Sequence, residues 1–388
     1  MKAGMIYLDH AATTPMDVKV HREMGQYCCL FFGNPATLYS LGRRSHEAVE
    51  NARERVAELL GCSPDEVYFT SGGTESDNWA IQGIAFSHTE KGKHIITSAV
   101  EHHAVLDACK FLEKIGFEVT YLPVDKHALI DPDDVRKAVR DDTILISMMH
   151  ANNEVGTIEP ISEIGRIAHE AGVLMHTDAV QTVGKLLTKV DELDVDMLSM
   201  SAHKFYGPKG VGAMYIRKGT RIQRFMHGGG QEHNKRAGTH NVPGIVGLGA
   251  SADLALDHMK QDADRLWKLA GKLEDGLLAN IPDIRSNGHP TKRLPGLVHV
   301  CVEGIEGEAM LLCLDAEDIC VSSGSACTTG SLDPSHVLLA MGMPAEVAHG
   351  SIRFSLGRHN TEEEIDRVLE VFPPIVKKLR AMSPVYKK

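Results

Sequence analysis

The chain has 388 residues, 43% hydrophobic and 24% charged, with 36 glycines. This profile fits a globular protein too long for one ordinary core, so two domains, or one large domain with an appended lobe, are expected. The formal net charge of -11 repels polyanions and argues against a general nucleic-acid or anionic-membrane surface, leaving room only for a local basic patch. No apolar run reaches transmembrane length, and the start Met1-Lys-Ala-Gly-Met-Ile-Tyr7 lacks the long apolar core of a secretion signal, so a cytoplasmic protein is expected.

Apolar residues recur at helical spacing from Glu47 to Leu60, Glu66 to Thr70 reads as a short strand, and the chain turns helical again at Thr74. Strand patterns follow at 94–98, 118–122, 143–147, 172–176 and 197–200, with helical stretches such as Ala104 to Ile115 and Ile161 to Ala171 between them. Such alternation predicts an α/β fold with a largely parallel sheet covered by helices. A long helical stretch from Ile245 to about Leu278 leads to a second pattern of strands and helices, which puts a domain change near 255.

Loops at the ends of these strands are where an open parallel sheet binds ligands. Thr70-Ser-Gly-Gly-Thr-Glu-Ser76 joins a strand to a helix, and its glycines and hydroxyls let backbone amides approach a phosphate at the helix N-terminus, although a plain turn and cap has the same composition. His102 in the next loop has a flat ring able to stack on an aromatic cofactor, or is a half-buried polar residue. Asn152 and Asn153 offer amide donors after the strand ending at Met149, or simply make a turn. Arg236 and Thr239, beyond the glycines at 228 to 230, suit an oxyanion, and a purely structural bend is the alternative.

Lys204, in Ser201-Ala-His-Lys-Phe-Tyr-Gly207, follows Asp178 by 26 residues. A lysine among small and turn-forming residues at a strand end can form a Schiff base with an aldehyde, and an upstream aspartate can keep a pyridinium nitrogen protonated. The competing reading is a solvated lysine and a helix-capping aspartate.

The eight cysteines, at 28, 29, 62, 109, 301, 313, 320 and 327, show no Cys-x-x-Cys pair, so neither a structural zinc site nor a disulfide framework is supported and no metal is expected. Cys327 stands apart in Val321-Ser-Ser-Gly-Ser-Ala-Cys-Thr-Thr-Gly-Ser-Leu-Asp-Pro334, a run of small polar turn formers expected to be an exposed, mobile arm.

Taken with Tyr7-Leu-Asp-His-Ala-Ala-Thr-Thr-Pro15, Gly33-Asn-Pro-Ala36 and Ser351-Ile-Arg-Phe-Ser-Leu-Gly-Arg358, these runs resemble the class V, fold-type I pyridoxal-phosphate enzymes, specifically the NifS/IscS-type cysteine desulfurases, over nearly the whole chain. The resemblance implies a large cofactor-binding domain at 14–255 with a mostly parallel seven-stranded sheet. It also implies a smaller α+β domain at 1–13 and 256–388 that carries the loop 321–334. It implies pyridoxal 5'-phosphate as cofactor, with Lys204 as the Schiff-base lysine, Asp178 on the ring nitrogen, and His102 stacked on the ring and moving protons. Asn153 and Gln181 would lie near the ring oxygen, and Gly73, Thr74, Ser201 and His203 would hold the phosphate. Thr239 would reach the phosphate from the neighbouring subunit of a homodimer. Arg353, with Asn153, would bind the carboxylate of L-cysteine, and Cys327 would accept the sulfur as a persulfide for an iron-sulfur scaffold or another acceptor, leaving alanine. Two features depart from the family: His233-Asn234 where Arg-Gly is common, and an end at Lys388 without the longer tail used for scaffold contact. A selenocysteine lyase, a related aminotransferase or a non-catalytic assembly platform on the same fold are the alternatives.

Overall fold

Buried strands joined by amphipathic helices through short connections dictate the architecture. The computed structural model describes residues 4–323, 333–384 and 386. The chain opens with β1 (Ile6–Tyr7), α1 (Val18–Cys29) and α2 (Ser40–Leu60). It then alternates through β2 (Val67–Thr70), α3 (Gly73–Ser87), β3 (His94–Ser98), α4 (His103–Lys114), β4 (Glu118–Leu122), α5 (Pro132–Ala138), β5 (Thr143–Met149), α6 (Ile161–Glu170), β6 (Leu174–Asp178), α7 (Val190–Leu193), β7 (Met197–Ser201) and β8 (Gly212–Ile216). Strands β2 to β8 form one seven-stranded sheet in the order β2-β8-β7-β6-β5-β3-β4. Only β8 runs against its neighbours, and the other pairs are parallel.

Helices cover both faces. Ile95 and Ile96, adjacent on β3, point into different cores: Ile96 joins Val56, Leu60, Ile164 and Ile245 of α2, α6 and the long helix below, whereas Ile95 joins Trp79, Ile81, Val105 and Leu112 of α3 and α4. With both faces covered, all seven residues of β5 are buried, which is why the central strands read as continuous apolar runs.

A hairpin of β9 (Gly230–Gln231) and β10 (Arg236–Ala237) leads to α8 (Val242–Asn280), a 39-residue helix that passes through position 255 unbroken. Its residues up to Ala255 pack in the first core, and those from Leu269 to Leu277 pack in a separate one. That second core lies among β11 (Ile284–Asn287), β12 (Leu297–Val302), α9 (Gly307–Asp315), β13 (Ile319–Cys320), β14 (Ser351–Ser355) and α12 (Glu362–Met382), whereas α10 (His336–Ala340) and α11 (Ala345–Ala348) pack into a smaller cluster with Val100, Met149 and Val155. Strands β11, β12 and β14 make an antiparallel sheet, while β1 returns from the N-terminus to pair with β13. Ile6 and Leu8 thereby join the second core. Among the described residues no helix is long and apolar enough to cross a membrane.

Candidate active site

Loops leaving the C-terminal ends of the parallel strands, together with the turn after β1, enclose a cavity of about 300 Å³. Gly73, Thr74, His102, Asn153, Asp178, Gln181, Ser201, His203, Lys204 and Arg353 all line it, with Ala11, Ala12 and Asp77. Thr239 does not; it is exposed on the surface of its own chain.

Lys204 follows β7 on a single helical turn, Ala202–Lys204. Its Nζ donates to the carbonyl oxygens of Ala11 at 2.7 Å and Ala12 at 2.9 Å. Asp178 closes β6, and its Oδ1 accepts the Val180 amide at 2.9 Å. Burial pushes the Asp178 carboxyl up to about 6, against the opposing pull of that amide and of Lys204.

His102 caps α4, its Nδ1 accepting the Ala104 amide at 3.1 Å. An amide donor at Nδ1 assigns the neutral ring's proton to Nε2. Burial first, then Lys204, pushes its pKa down to about 4, so the ring facing the cavity is neutral. His203 is likewise lowered to about 4, chiefly by burial, and its Nδ1 lies 3.1 Å from Thr13 Oγ1.

The start of α3 supplies a cradle for an oxyanion. Its first amides have no intrahelical acceptor, and the hydroxyls of Thr74 and Ser201 stand beside them. Gly72 has φ +147°, open to glycine, and a Cβ on Gly73 would meet Val180 Cγ2 at 2.6 Å. A side chain at Gly73 would collide with Val180, which lines the same cavity.

Arg353, on β14, comes from the second sheet and is almost fully buried. Its Nη1 donates to Asn153 O at 2.7 Å and its Nη2 to Asp9 Oδ1 at 3.0 Å, while the buried Nε has no hydrogen-bond partner. An arginine held by two groups with a donor left over is set to receive a carboxylate.

The two asparagines separate cleanly. Asn152 is fully buried and spends its side chain on the turn, accepting from Glu154 and Val155 amides at 2.9 Å and donating to Val100 O at 3.0 Å. Asn153 alone faces the cavity. Arg236 corrects the expectation of an oxyanion ligand: its Nε and Nη2 bind Glu75 at 2.8 and 3.0 Å, outside the cavity. At the departing motif, Glu232, His233 and Asn234 all have positive φ, and the turn is anchored by Glu232, whose carboxylate takes Arg53 at 2.8 and 2.9 Å and the Phe69 amide at 2.8 Å.

Cys327 lies outside the described residues, as does most of the 321–334 segment. Its described flanks are both tied beside the cavity. Ser322 and Arg353 exchange backbone bonds of 3.2 and 2.7 Å, and Ser335 Oγ donates to Glu154 Oε2 at 2.5 Å, next to Asn153. None of the seven other cysteines lines the cavity. Among the described residues no His, Cys, Asp or Glu cluster could hold a metal ion.

Sequence reasoning missed three contributors. Ala11 and Ala12 act through backbone carbonyls, which carry no residue-type signal. Asp77 stands on α3 three residues after Thr74, on the same helix face, a spacing that was readable. Burial raises its carboxyl well above the usual range, and Asp178 adds to that.

The fold is that of the aminotransferase class-V family, which the chain matches over residues 6–368. It is 56% identical over 383 residues to cysteine desulfurase IscS of Methanosarcina thermophila, covering 99% of this chain and 95% of that protein. Identity to cysteine desulfurase IscS of Dictyoglomus turgidum is 55% over 379 residues, covering 98% and 96%. Among solved structures, a NifS-like protein superposes with a TM-score of 0.91 at 40% identity, covering 97% of this chain and all of that one. The structure described as SspA in complex with cysteine gives 0.81 at 38% identity, covering 92% and 100%. The chain belongs to the class-V aminotransferase family and, within it, to the NifS/IscS-type cysteine desulfurases.

Proposed function

We propose that this protein is a cysteine desulfurase that binds pyridoxal 5'-phosphate in the 300 Å³ cavity and moves sulfur from L-cysteine onto Cys327. The observation that carries this reading is the convergence, in one cavity, of an amine on Lys204, an acid on Asp178, a neutral ring on His102, a helix N-terminus and the Arg353 guanidinium. The residues fit the cofactor by donor type: Gly73, Thr74, Ser201 and His203 for a phosphate, Asp178 for a ring nitrogen, Gln181 and Asn153 for a ring oxygen, Lys204 for an aldehyde. When bound, the cofactor supplies an electron sink that stabilises negative charge at the substrate's α carbon.

The chain's own groups then have distinct tasks. Arg353 orients the cysteine carboxylate, and Lys204 Nζ, leaving the Ala11 and Ala12 carbonyls, takes the α proton. The Cys327 thiolate forms an S–S bond with the substrate sulfur as the substrate's carbon–sulfur bond breaks, leaving alanine and a protein persulfide. The flanks tied at Arg353 and Glu154 support this placement of Cys327. His102 in its neutral state suits stacking; to carry a proton on Nδ1 it must give up the Ala104 bond.

The working unit in this reading is a homodimer in which Thr239 of each subunit completes the other's phosphate site. Thr239 is exposed and does not line its own cavity, and the surface segment bearing Leu30, Phe32, Leu38 and Tyr39 offers apolar area for association. Residues 14–255 form the cofactor lobe and 1–13 with 256–388 the second lobe. A sulfur-accepting protein, an iron-sulfur scaffold among them, takes the persulfide in the cytoplasm.

The test is to purify the protein with pyridoxal phosphate, reduce with borohydride and map the labelled peptide. A yellow protein whose band bleaches and whose label sits on Lys204 supports the proposal. Label on Lys209, or none, refutes it.

A further inference from the structure

A second lysine lies behind the first. Lys185 Nζ donates to Gln181 Oε1 at 2.9 Å; Gln181 Nε2 donates to Ala11 O at 2.9 Å; and the same Ala11 oxygen accepts Lys204 Nζ at 2.7 Å. Lys185 does not line the main cavity but a smaller one of about 40 Å³ on the other side of Lys204. The two cavities share Ala11 and Lys204 as a wall.

The chain of bonds has a directional consequence. An amide side chain can flip, presenting either its oxygen or its NH₂ to a given neighbour. In its protonated form Lys185 can only donate, so it holds Gln181 Oε1 on its own side and keeps Nε2 towards Ala11 and the cavity, with one N–H unspent on Ala11. A ring oxygen in the cavity then meets a donor and never a lone pair. The charge acts in the same sense, because a cation behind Lys204 disfavours a further proton on the groups at that wall.

We propose, resting on the cofactor reading above, that Lys185 is a positioning residue for this site: through Gln181 it orients the amide towards the cofactor's ring oxygen and lowers the basicity of the Lys204-bound cofactor. Burial, with smaller contributions from Lys204 and Arg353, pushes Lys185 itself down to about 7, so it is divided between ammonium and amine near neutral pH and its charge acts on the site most strongly below that pH. The other groups facing it are His10 and His203, both lowered chiefly by burial and neutral at pH 7, and Asp262 across the small cavity.

The experiment titrates the visible band of the cofactor-loaded protein with pH and measures cofactor affinity by fluorescence of the apoprotein, comparing wild type with three variants. Lys185→Met removes donor and charge together; it is expected to move the spectral midpoint up by about one pH unit and weaken cofactor binding about tenfold. Lys185→Arg keeps both and should restore the wild-type midpoint. Lys185→Gln keeps an N–H without charge, so its midpoint should rise while cofactor affinity stays within about twofold of wild type; it carries the comparison if methionine prevents folding. A Met or Gln variant at the wild-type midpoint, or an Arg variant displaced as far as Met, overturns the inference. A wild-type protein with no band at all sinks the cofactor reading instead, which separates the two failures.

Discussion

Replacing Arg353 by lysine keeps a positive charge on β14 but removes the planar fork. In the structure the guanidinium spends Nη1 on Asn153 O at 2.7 Å and Nη2 on Asp9 Oδ1 at 3.0 Å, and still has a buried Nε–H without a partner. Lysine has three donors on one atom at the end of a flexible stem and cannot hold both anchors and grip a carboxylate with two parallel bonds. The net loss is about one charge-assisted hydrogen bond, roughly 1.5 to 3 kcal/mol, which is about 10- to 150-fold in the apparent affinity for L-cysteine. Titrating the loaded protein with L-cysteine and following the change in its visible spectrum gives that affinity directly. The same protein without substrate should retain its band and its cofactor affinity, because Arg353 bonds the backbone oxygen of Asn153 and the Asp9 carboxylate, and no side chain assigned to the cofactor. An Arg353→Lys protein that binds cysteine as tightly as wild type would remove Arg353 from the substrate site.

Cys327→Ser should keep the visible band and bind L-cysteine, yet form no protein persulfide; desulfuration near the parent rate, or a persulfide trapped on Cys320, refutes the assignment. The Glu232 carboxylate makes a stability prediction. Burial alone would raise its pKa, but hydrogen bonds from Arg53 and His240, the Arg53 charge and the Phe69 amide bring it from 4.5 down to about 2. That difference corresponds to about 3 kcal/mol of stability, present above pH 4.5 and lost as pH falls from there to 2. Glu232→Gln should lower stability by a similar amount at pH 7 in a denaturant titration and flatten the pH profile across that acid range; an unchanged midpoint of unfolding shows the anchor to be dispensable. Asp178→Asn should weaken cofactor binding and shift its band, since an amide cannot hold a ring nitrogen protonated; a wild-type spectrum would exclude contact with the ring nitrogen.

Strands were the most legible part of the fold. His94–Ser98, fully buried, and Glu118–Leu122, an edge strand with only Leu122 buried, both match their expected bounds, each being a short run rich in β-branched and apolar residues that begins two positions after a glycine. Thr143–Met149 ends where the loop of Asn152 and Asn153 was expected to begin, because all seven of its residues are buried between the covering helices. The long helix was legible as well, expected from Ile245 to about Leu278 and observed as Val242–Asn280, with its residues up to Ala255 in one core and Leu269 to Leu277 in another. At the site, side chains with distinctive chemistry, Lys204, Asp178 and Arg353, were legible from their runs. Ala11 and Ala12 were not, since a carbonyl belongs to every residue and its partner lies more than 190 positions away. Arg236 misled for a related reason: a guanidinium suits an anion, but only the fold shows that the nearest one is Glu75.

The most direct measurement incubates the pyridoxal-phosphate-loaded protein with L-cysteine and no keto acid, and quantifies alanine, sulfide and protein-bound persulfide together. Cysteine desulfuration predicts alanine formed in step with sulfur, with the first equivalent retained as persulfide on Cys327. Loss of cysteine that depends on an added keto acid, or a loaded protein that releases no alanine at all, would contradict it.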